Sequence, residues 1–121
     1  MLVLDSSVII EYLRKGPRIS ALLEKMNDES LVTTSITIHE LMLSGSEEER
    51  WKIEQLIPLF EVLPHTSVAA LEGSRVARLM KSKRLNPADE YIAGICLANK
   101  ATIVTFDQDF KRVPGLKTLG I

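Results

Sequence analysis

The sequence predicts a three-layer α/β/α sandwich with a mostly parallel central sheet. The chain opens on an apolar run, residues 1–4, without polar alternation, which is typical of a strand buried on both faces. Residues 102–105 form a second buried run late in the chain. Between such runs, apolar residues recur every three or four positions, as on amphipathic helices. Strands that alternate with helices through short connections favour a parallel sheet covered by helices on both faces.

Turn-forming residues divide the first half of the chain into strands and helices. Gly16-Pro17 stops the helix after the first strand, because proline cannot continue a helix. The polar residues 27–30 predict a turn, and Ser44-Gly45 ends a later helix. The predicted elements are strand 1–4, helix 7–14, helix 18–26, strand 31–34 and helix 35–43.

Capping residues and prolines divide the second half. Ser46 and Glu49 have capping-box spacing and open a helix, which Pro58 should kink or shorten. Asn86-Pro87 opens a further helix after a long one. The predicted elements are a helix from residue 46, strand 60–63, helix 67–84, helix 88–99, strand 102–105 and edge strand 116–119.

The composition agrees with one globular domain spanning residues 1–121. Hydrophobic residues make up 45% of the chain and charged residues 26%, as in soluble proteins with a single core. The net charge of −1 means that any phosphate-binding surface must be local. Cys96 is the only cysteine, which excludes an internal disulfide and favours a reducing compartment. No signal-like segment and no apolar run of ~20 residues is present, so a cytoplasmic location is expected.

Four acidic residues are predicted to share one edge of the sheet. In a parallel sheet, the carboxyl ends of all strands and the helix starts after them lie on one edge, where ligands bind. Carboxylates gathered there raise one another's pKa unless a cation compensates. Oxygen ligands without a His or Cys cluster suit Mg²⁺ or Mn²⁺. The four acids are Asp5 after the first strand, Glu40 after the second, Asp89 at a helix start and Asp107 after strand 102–105.

Two of these acids have acidic neighbours that must be distinguished. Asp89 shares a helical face with apolar residues such as Ala93, whereas Glu90 points about 100° away. Asp89 is therefore the preferred ligand. Asp107 lies nearer its strand end than Asp109, which remains a supporting candidate.

Each acid also has a purely structural interpretation. A carboxylate in a first helical turn satisfies free amide groups and interacts favourably with the helix dipole. Under this interpretation, Asp5 caps the first helix, Glu40 and Asp89 complete capping boxes with Thr37 and Asn86, and Asp107 caps the turn before Phe110.

Four segments resemble the PIN-domain family, and in particular the compact VapC-type toxins of prokaryotic toxin–antitoxin pairs. Each segment is weakly specific, but together they occur in the family's order over nearly the whole chain. Residues 46–80 carry no motif. The segments are Asp5-Ser6-Ser7-Val8-Ile9, Thr37-Ile38-His39-Glu40-Leu41, Asp89-Glu90-Tyr91-Ile92-Ala93, and Thr105-Phe106-Asp107-Gln108-Asp109-Phe110 with Val113-Pro114-Gly115-Leu116 after it.

This resemblance implies a Mg²⁺- or Mn²⁺-dependent endoribonuclease that acts on single-stranded RNA. It also implies homodimers and an antitoxin whose tail blocks the site. The family's catalytic and metal-binding quartet matches Asp5, Glu40, Asp89 and Asp107. Its supporting hydroxyls match Ser6 and Thr105.

Basic residues before the Asp89 helix are candidates for holding RNA next to the metal site, although such clusters are commonly solvated helix faces. The aromatic content of only 5% argues against a base-stacking platform. The RNA-binding candidates are Arg14, Arg78, Lys81, Lys83 and Arg84.

Other functions fit the same residues. The chain would be a non-catalytic PIN-like module that binds RNA or protein if the acids serve only as caps. A housekeeping RNA-processing PIN nuclease would have the same site as a toxin. A phosphoacceptor domain is disfavoured, because it requires adjacent acids after the first strand, where Asp5 is followed by serines.

Overall fold

Five parallel strands form the centre of the molecule. In the computed structural model, which describes residues 1–26 and 30–120, the strand order is β3-β2-β1-β4-β5 and every pairing is parallel. The strands are β1 Leu2–Leu4, β2 Val32–Thr34, β3 Glu61–Leu63, β4 Thr102–Val104 and β5 Lys117–Leu119. β1 therefore lies at the centre, with Val3 aligned with Val32 on one side and Ile103 on the other.

Six α-helices connect these strands. They are α1 Ser6–Leu13, α2 Arg18–Met26, α3 Ser35–Leu43, α4 Glu47–Leu56, α5 Ser67–Met80 and α6 Pro87–Ala98. Three short 3₁₀ turns follow α4, α5 and β4, at Ile57–Leu59, Lys81–Lys83 and Gln108–Arg112. None of the helices in the described ranges is both long and apolar enough to cross a membrane.

Two apolar layers cover the two faces of the sheet and confirm the predicted three-layer architecture. One layer packs α5 and α6 onto the sheet through side chains such as Val76, Ile92 and Ile95. The other packs α1, α2, α3 and α4 through Val8, Leu22, Leu41 and Ile53. Because both faces are covered, the inner strands β1, β2 and β4 are buried on both sides, whereas the edge strands β3 and β5 are more exposed.

Most predicted boundaries agree with the structure, and one helix is shorter than predicted. The capping bond from the Glu49 amide to the Ser46 hydroxyl opens α4, and the Pro58 turn ends it, as the sequence indicates. The helix predicted to reach residue 84 ends at Met80, because Lys81 adopts a positive φ of 54°. The predicted turn at 27–30 lies, except for its last residue, outside the described residues.

Candidate metal centre

Asp5 lies at the carboxyl end of the central strand, inside a hydrogen-bonded network. Its side chain is 4% exposed, and its Oδ2 atom accepts hydrogen bonds from the hydroxyls of Thr105, at 2.7 Å, and Ser7, at 3.3 Å. The two hydroxyls also accept hydrogen bonds from the backbone amides of Asp107 and Phe106. The network therefore ties the ends of β1 and β4 together and fixes the Asp5 carboxylate between them.

The structural interpretation of Asp5 as a helix cap is not realised. Asp5 occupies the N-cap position of α1, but its side chain makes no capping hydrogen bond. Its carboxylate is instead directed towards the end of β4. Burial without a basic partner raises the pKa of Asp5, although its hydrogen bonds with Thr105, Ser6 and Ser7 oppose this effect.

Glu40 is placed on the same edge of the sheet by the junction between β2 and α3. Thr34 caps α3 by accepting a hydrogen bond from the Thr37 amide at 3.0 Å, so Thr37 is not the cap and Glu40 does not complete a capping box. Thr37, Glu40 and Leu41 share one helical face at i, i+3 and i+4. Because Thr37 and Leu41 are buried, Glu40 is directed inward and is partly shielded from solvent.

Asp107 performs the capping role that the structural interpretation assigns it, whereas Asp89 does not complete a capping box, because its carboxylate bonds to the Asn86 side chain and Asn86 is the cap. The Asn86 side chain accepts a hydrogen bond from the Asp89 amide and donates one to its Oδ2, both at 2.9 Å. Asp107 Oδ1 accepts a hydrogen bond from the Asp109 amide at 2.9 Å and caps the 3₁₀ turn that carries buried Phe110. These hydrogen bonds orient the carboxylates of Asp89 and Asp107, and each carboxylate keeps oxygen lone pairs for a further partner.

The carboxylates of Asp5, Glu40 and Asp107 are close enough to Asp89 to alter its ionisation. The pKa of Asp89 is raised to about 6, first by burial and then by the negative charges of Asp5, Asp107 and Glu40. Burial is also the main reason that the pKa of Glu40 is raised, with repulsion from Asp5 second. Repulsion, which the sequence argument emphasised, is therefore the smaller cause at both positions.

The acidic side chains lie further apart than a metal site requires and than the sequence predicts. Within residues 1–26 and 30–120, no three His, Cys, Asp or Glu side chains are grouped tightly enough to hold a metal ion in their present rotamers. The donor chemistry nevertheless fits Mg²⁺ or Mn²⁺, because a set of oxygen ligands with excess negative charge favours a hard divalent cation. The site fits the ion by charge and donor type, and binding would require the carboxylates to rotate towards one another.

Of the three predicted supporting side chains, Thr105 contacts Asp5, whereas those of Ser6 and Asp109 do not. Ser7, which the sequence argument did not select, donates its hydroxyl to Asp5, whereas Ser6 interacts with the carboxylate through its backbone amide. The Asp109 side chain is exposed and pairs with Arg112 at 3.4 Å, so it does not join the other acids. Only the contact between the ends of β1 and β4 distinguishes Ser7 from Ser6, and the sequence carries no separate signal for it.

Several of the basic candidates are engaged in ion pairs. Arg14 pairs with Glu49 at 3.1 Å, and Arg84 pairs with Glu90 at 2.8 Å. Glu90 is thereby occupied by Arg84. Glu90 is also the more buried of the two neighbouring acids, at 6% exposed, which differs from the expectation that Asp89 and not Glu90 faces the buried residues. Among the other candidates, Arg78 lies 3.5 Å from the Ser74 hydroxyl, and Lys81 and Lys83 lie on the exposed 3₁₀ turn after α5.

Replacing Thr105 with Val is expected to weaken binding of Mn²⁺ about 10-fold, because groups that orient a ligand typically change metal affinity 10- to 100-fold. The substitution keeps the side-chain shape but removes the hydroxyl that holds both the Asp5 carboxylate and the Asp107 amide. Titration calorimetry with Mn²⁺ measures the effect. Thr105→Ser should retain the affinity, and Thr102→Val, at the far end of the preceding strand β4, should not lower it. Equal losses in all three variants would contradict the assignment.

The fold and the acid positions define an α/β protein whose candidate ligand site lies at the carboxyl edge of a parallel sheet. The chain belongs to the PIN-domain family, since the sequence profile of the PIN domain matches residues 2–116. The family resemblance inferred from the four motifs is thereby confirmed. Among curated proteins, no sequence matches this chain.

Solved structures of toxin–antitoxin proteins have the same fold. VapBC-1 from nontypeable Haemophilus influenzae has a TM-score of 0.80 and 26% identity, covering 98% of this chain and 96% of the other. FitAcB from Neisseria gonorrhoeae has a TM-score of 0.81 and 25% identity, with the same coverages. VapBC-5 from Mycobacterium tuberculosis, a member of the VapBC family of toxin–antitoxin systems, has a TM-score of 0.72 and 25% identity, covering 98% and 95%.

Proposed function

We propose that the protein is a Mg²⁺- or Mn²⁺-dependent endoribonuclease that cleaves single-stranded RNA in the cytoplasm and acts as the toxin of a type II toxin–antitoxin pair. The observation that carries the proposal is the electrostatic coupling of Asp89 to Asp5, Glu40 and Asp107. Membership of the PIN-domain family and the similarity to VapBC structures support a toxin nuclease role.

The chain's own residues would hold and orient the reacting groups. A divalent ion bound by the four carboxylates would lower the pKa of a water molecule and neutralise charge on the scissile phosphate. Asp5 would anchor the site, because Thr105 and Ser7 fix its carboxylate. In-line attack by water on phosphorus would break the bond to the 3′-oxygen, which leaves with a proton. The products would be a 5′-phosphate and a 3′-hydroxyl.

Cleavage of a single-stranded RNA by the purified protein is expected to require Mn²⁺ or Mg²⁺ and to disappear in EDTA. Gel analysis of the fragments tests both the requirement and the product ends, since a 5′-phosphate end is a substrate for a 5′-phosphate-dependent exonuclease. A terminal 2′,3′-cyclic phosphate, or undiminished cleavage in EDTA, would rule out the proposed chemistry. Contaminating nuclease is excluded if Asp5→Asn, purified identically, is inactive.

A non-catalytic PIN-like binding module is the second candidate. It is favoured by the capping role of Asp107, by the hydrogen bond between the Asn86 side chain and the Asp89 carboxylate, and by the open spacing of the acids. A metal titration separates the two functions. Binding of Mn²⁺ should raise the melting temperature in the nuclease, because an ion that binds only the folded state stabilises it. An unchanged melting temperature together with absent cleavage would favour the binding module.

A cognate antitoxin is the proposed protein partner. Its docking surface is an apolar cavity of about 320 Å³ between α1, α2 and the Ile57–Leu59 turn. The rim of the cavity exposes Tyr12, Leu31 and Leu59. A small reading frame for a DNA-binding protein beside the gene would support the toxin role, whereas a housekeeping PIN nuclease would lack such a neighbour.

A second copy of the chain is the other proposed partner. The exposed face of α5 carries Val68, Leu71 and Leu79 at helical spacing, with the Glu72–Arg75 ion pair on the same side. In an antiparallel two-fold pairing, the Glu72 and Arg75 side chains of the two copies can exchange partners, while the apolar residues are removed from water. Sedimentation equilibrium of the wild type and of Leu71→Lys tests this arrangement.

A further inference from the structure

A groove of about 420 Å³ lies between α5 and the start of α6, outside the acidic site. Small residues, including Gly73 and Ala77, form its α5 side. Its polar lining combines the two kinds of side chain that hold single-stranded nucleic acid, namely arginines and an aromatic pair. These residues are Arg78, Arg84, His65 and Tyr91.

Arg84 is held at this groove by a bidentate ion pair with Glu90. Its Nε donates to Glu90 Oε2 at 2.9 Å and its Nη2 to Glu90 Oε1 at 2.8 Å. The Glu90 side chain is 8% exposed, whereas that of Arg84 is 58% exposed. Within the described part of the chain, the Nη1 group of Arg84 has no hydrogen-bond partner. Glu90 thus holds one edge of the guanidinium and leaves the other edge as an oriented donor for an anion.

The aromatic pair lies on the same groove. The rings of His65 and Tyr91 have centroids 4.9 Å apart and are inclined by 39°. Tyr91 is 43% exposed and follows Glu90 directly in α6. A partly exposed ring that is buttressed by a second ring offers a flat surface for a nucleobase, even in a chain of low aromatic content.

The groove and the acidic site lie on different sides of the same helix start. Asp89 and Glu90 are consecutive in α6, so their side chains point about 100° apart. A helix with its side chains is about 10–12 Å across, a span that a few nucleotides of single strand can cross. Tyr91 is one position further along, so its side chain points about 160° away from that of Asp89, and a strand leaving the acids must pass around the first turn of α6 to reach Arg84 and Tyr91.

We propose that this groove binds the single-stranded RNA that flanks the cleaved bond. Arg84, positioned by Glu90, contacts a backbone phosphate, and Tyr91 stacks on a base. This inference rests on the proposed ribonuclease function and adds the path of the substrate to it. Since the net charge of the chain is −1, such a local arrangement is what RNA binding requires of this protein.

Binding of a short fluorescent uridine oligonucleotide, followed by anisotropy over a series of salt concentrations, tests the proposal. Arg84→Gln is expected to weaken binding about fivefold and to reduce the slope of log K against log salt by about 0.7, the value for one lost phosphate contact on a single strand. Tyr91→Leu is expected to weaken binding about fivefold with an unchanged slope, because stacking releases no counterions.

Two further variants control for folding and for net charge. Arg84→Gln alone leaves the buried Glu90 carboxylate unpaired, which destabilises a fold. The double variant Arg84→Gln/Glu90→Gln removes both charges, keeps the local net charge, and should show the same loss of slope. Lys52→Gln, on α4 where Lys52 pairs with Glu48, should leave affinity and slope unchanged.

The outcomes separate this inference from the ribonuclease proposal. A wild type that binds and cleaves RNA while Arg84→Gln and the double variant keep its slope would overturn the groove assignment alone. A wild type that neither binds nor cleaves RNA would overturn both. If the Arg84 variants lose affinity for the cognate antitoxin and not for the oligonucleotide, the groove is a protein interface and the inference is wrong.

Discussion

Asp89→Asn is expected to lower the rate of RNA cleavage about 10³-fold or more. The substitution keeps the size of the side chain and its contact with Asn86, but it removes a charge that would hold the divalent ion. Such an ion contributes several kcal/mol to stabilising charge in the transition state, and ~4 kcal/mol corresponds to about 10³ in rate. Initial rates on single-stranded RNA in Mn²⁺ measure the loss.

Asp109→Asn is the matched control for this prediction. Asp109 lies in the adjacent part of the acidic edge, but its side chain is exposed and pairs with Arg112. Its cleavage rate should stay within about twofold of the wild type, as is usual for a surface group without a specific role. A loss as large as that of Asp89→Asn would show that the candidate site includes Asp109 and that the sequence-based order of the two late acids is wrong.

The same Asp89→Asn variant should be more stable than the wild type at neutral pH in EDTA. The pKa of Asp89 is raised from 3.8 to about 6, so the folded state disfavours the ionised carboxylate. The destabilisation is absent below pH ~4, grows as the pH rises through about 6 and is complete above it. A pKa raised this far corresponds to about 3 kcal/mol in the free energy of unfolding. Partial exposure and screening by solvent reduce this contribution to about 1 kcal/mol.

Urea denaturation in EDTA at neutral pH and at pH ~4 measures this linkage. The variant should gain about 1 kcal/mol at neutral pH and much less at pH ~4, where the wild-type carboxyl is protonated in the folded state and about half protonated in the unfolded chain. An equal gain at both values would show that the effect arises from packing at residue 89 and not from its charge.

Gly94→Ala is expected to lower the free energy of unfolding by about 2 kcal/mol. α5 and α6 cross at two glycines, and a methyl group at Gly94 would overlap the Ala69 carbonyl oxygen and lie 2.9 Å from the Gly73 amide nitrogen. Both neighbours are backbone atoms and cannot rotate away. Overpacking of this kind costs typically 1–3 kcal/mol, more than the ~1 kcal/mol that alanine gains over glycine in a helix.

Gly16→Ala provides the control for this prediction. A methyl group there would meet only the carboxylate of Glu11, the end of a flexible side chain, so its unfolding midpoint in urea should be close to that of the wild type. Because α6 carries Asp89, loss of the close packing at Gly94 should also reduce cleavage at temperatures where the protein remains folded. A Gly94→Ala protein as stable as Gly16→Ala would contradict the proposed contact.

Local signals in the sequence were sufficient to predict most of the secondary structure. The bounds of α2 and α3 agree with the helical periodicity, and Ser46 and Asn86 cap the helices that their spacing predicts. The end of α5 was not predictable, because Lys81 adopts a positive φ that its residue type does not favour. That conformation depends on the packing of the chain around it.

Helical periodicity separated Asp89 from Glu90, since consecutive helical residues point about 100° apart, but it placed the wrong acid with the buried residues. Glu90 is buried at 6% exposed, whereas Asp89 is only half-buried. Periodicity did not reveal the role of Glu90, whose partner Arg84 comes from the turn before α6. The sequence likewise did not indicate which serine hydroxyl donates to Asp5. Ser6 and Ser7 are equivalent as sequence, and only Thr105, from a strand about a hundred positions later, determines which serine completes the network.

The sequence by itself determined the class of fold and the residue types at the carboxyl edge of the sheet, because apolar periodicity and parallel topology depend on local patterns and general rules of connection. Only the tertiary structure decided how close Asp5, Glu40, Asp89 and Asp107 lie, which hydroxyls fix Asp5 and which acid pairs with an arginine. Those properties depend on distances of a few ångströms between elements far apart in the chain. Burial, which contributes most to the raised pKa of Asp89, likewise exists only once both faces of the sheet are covered.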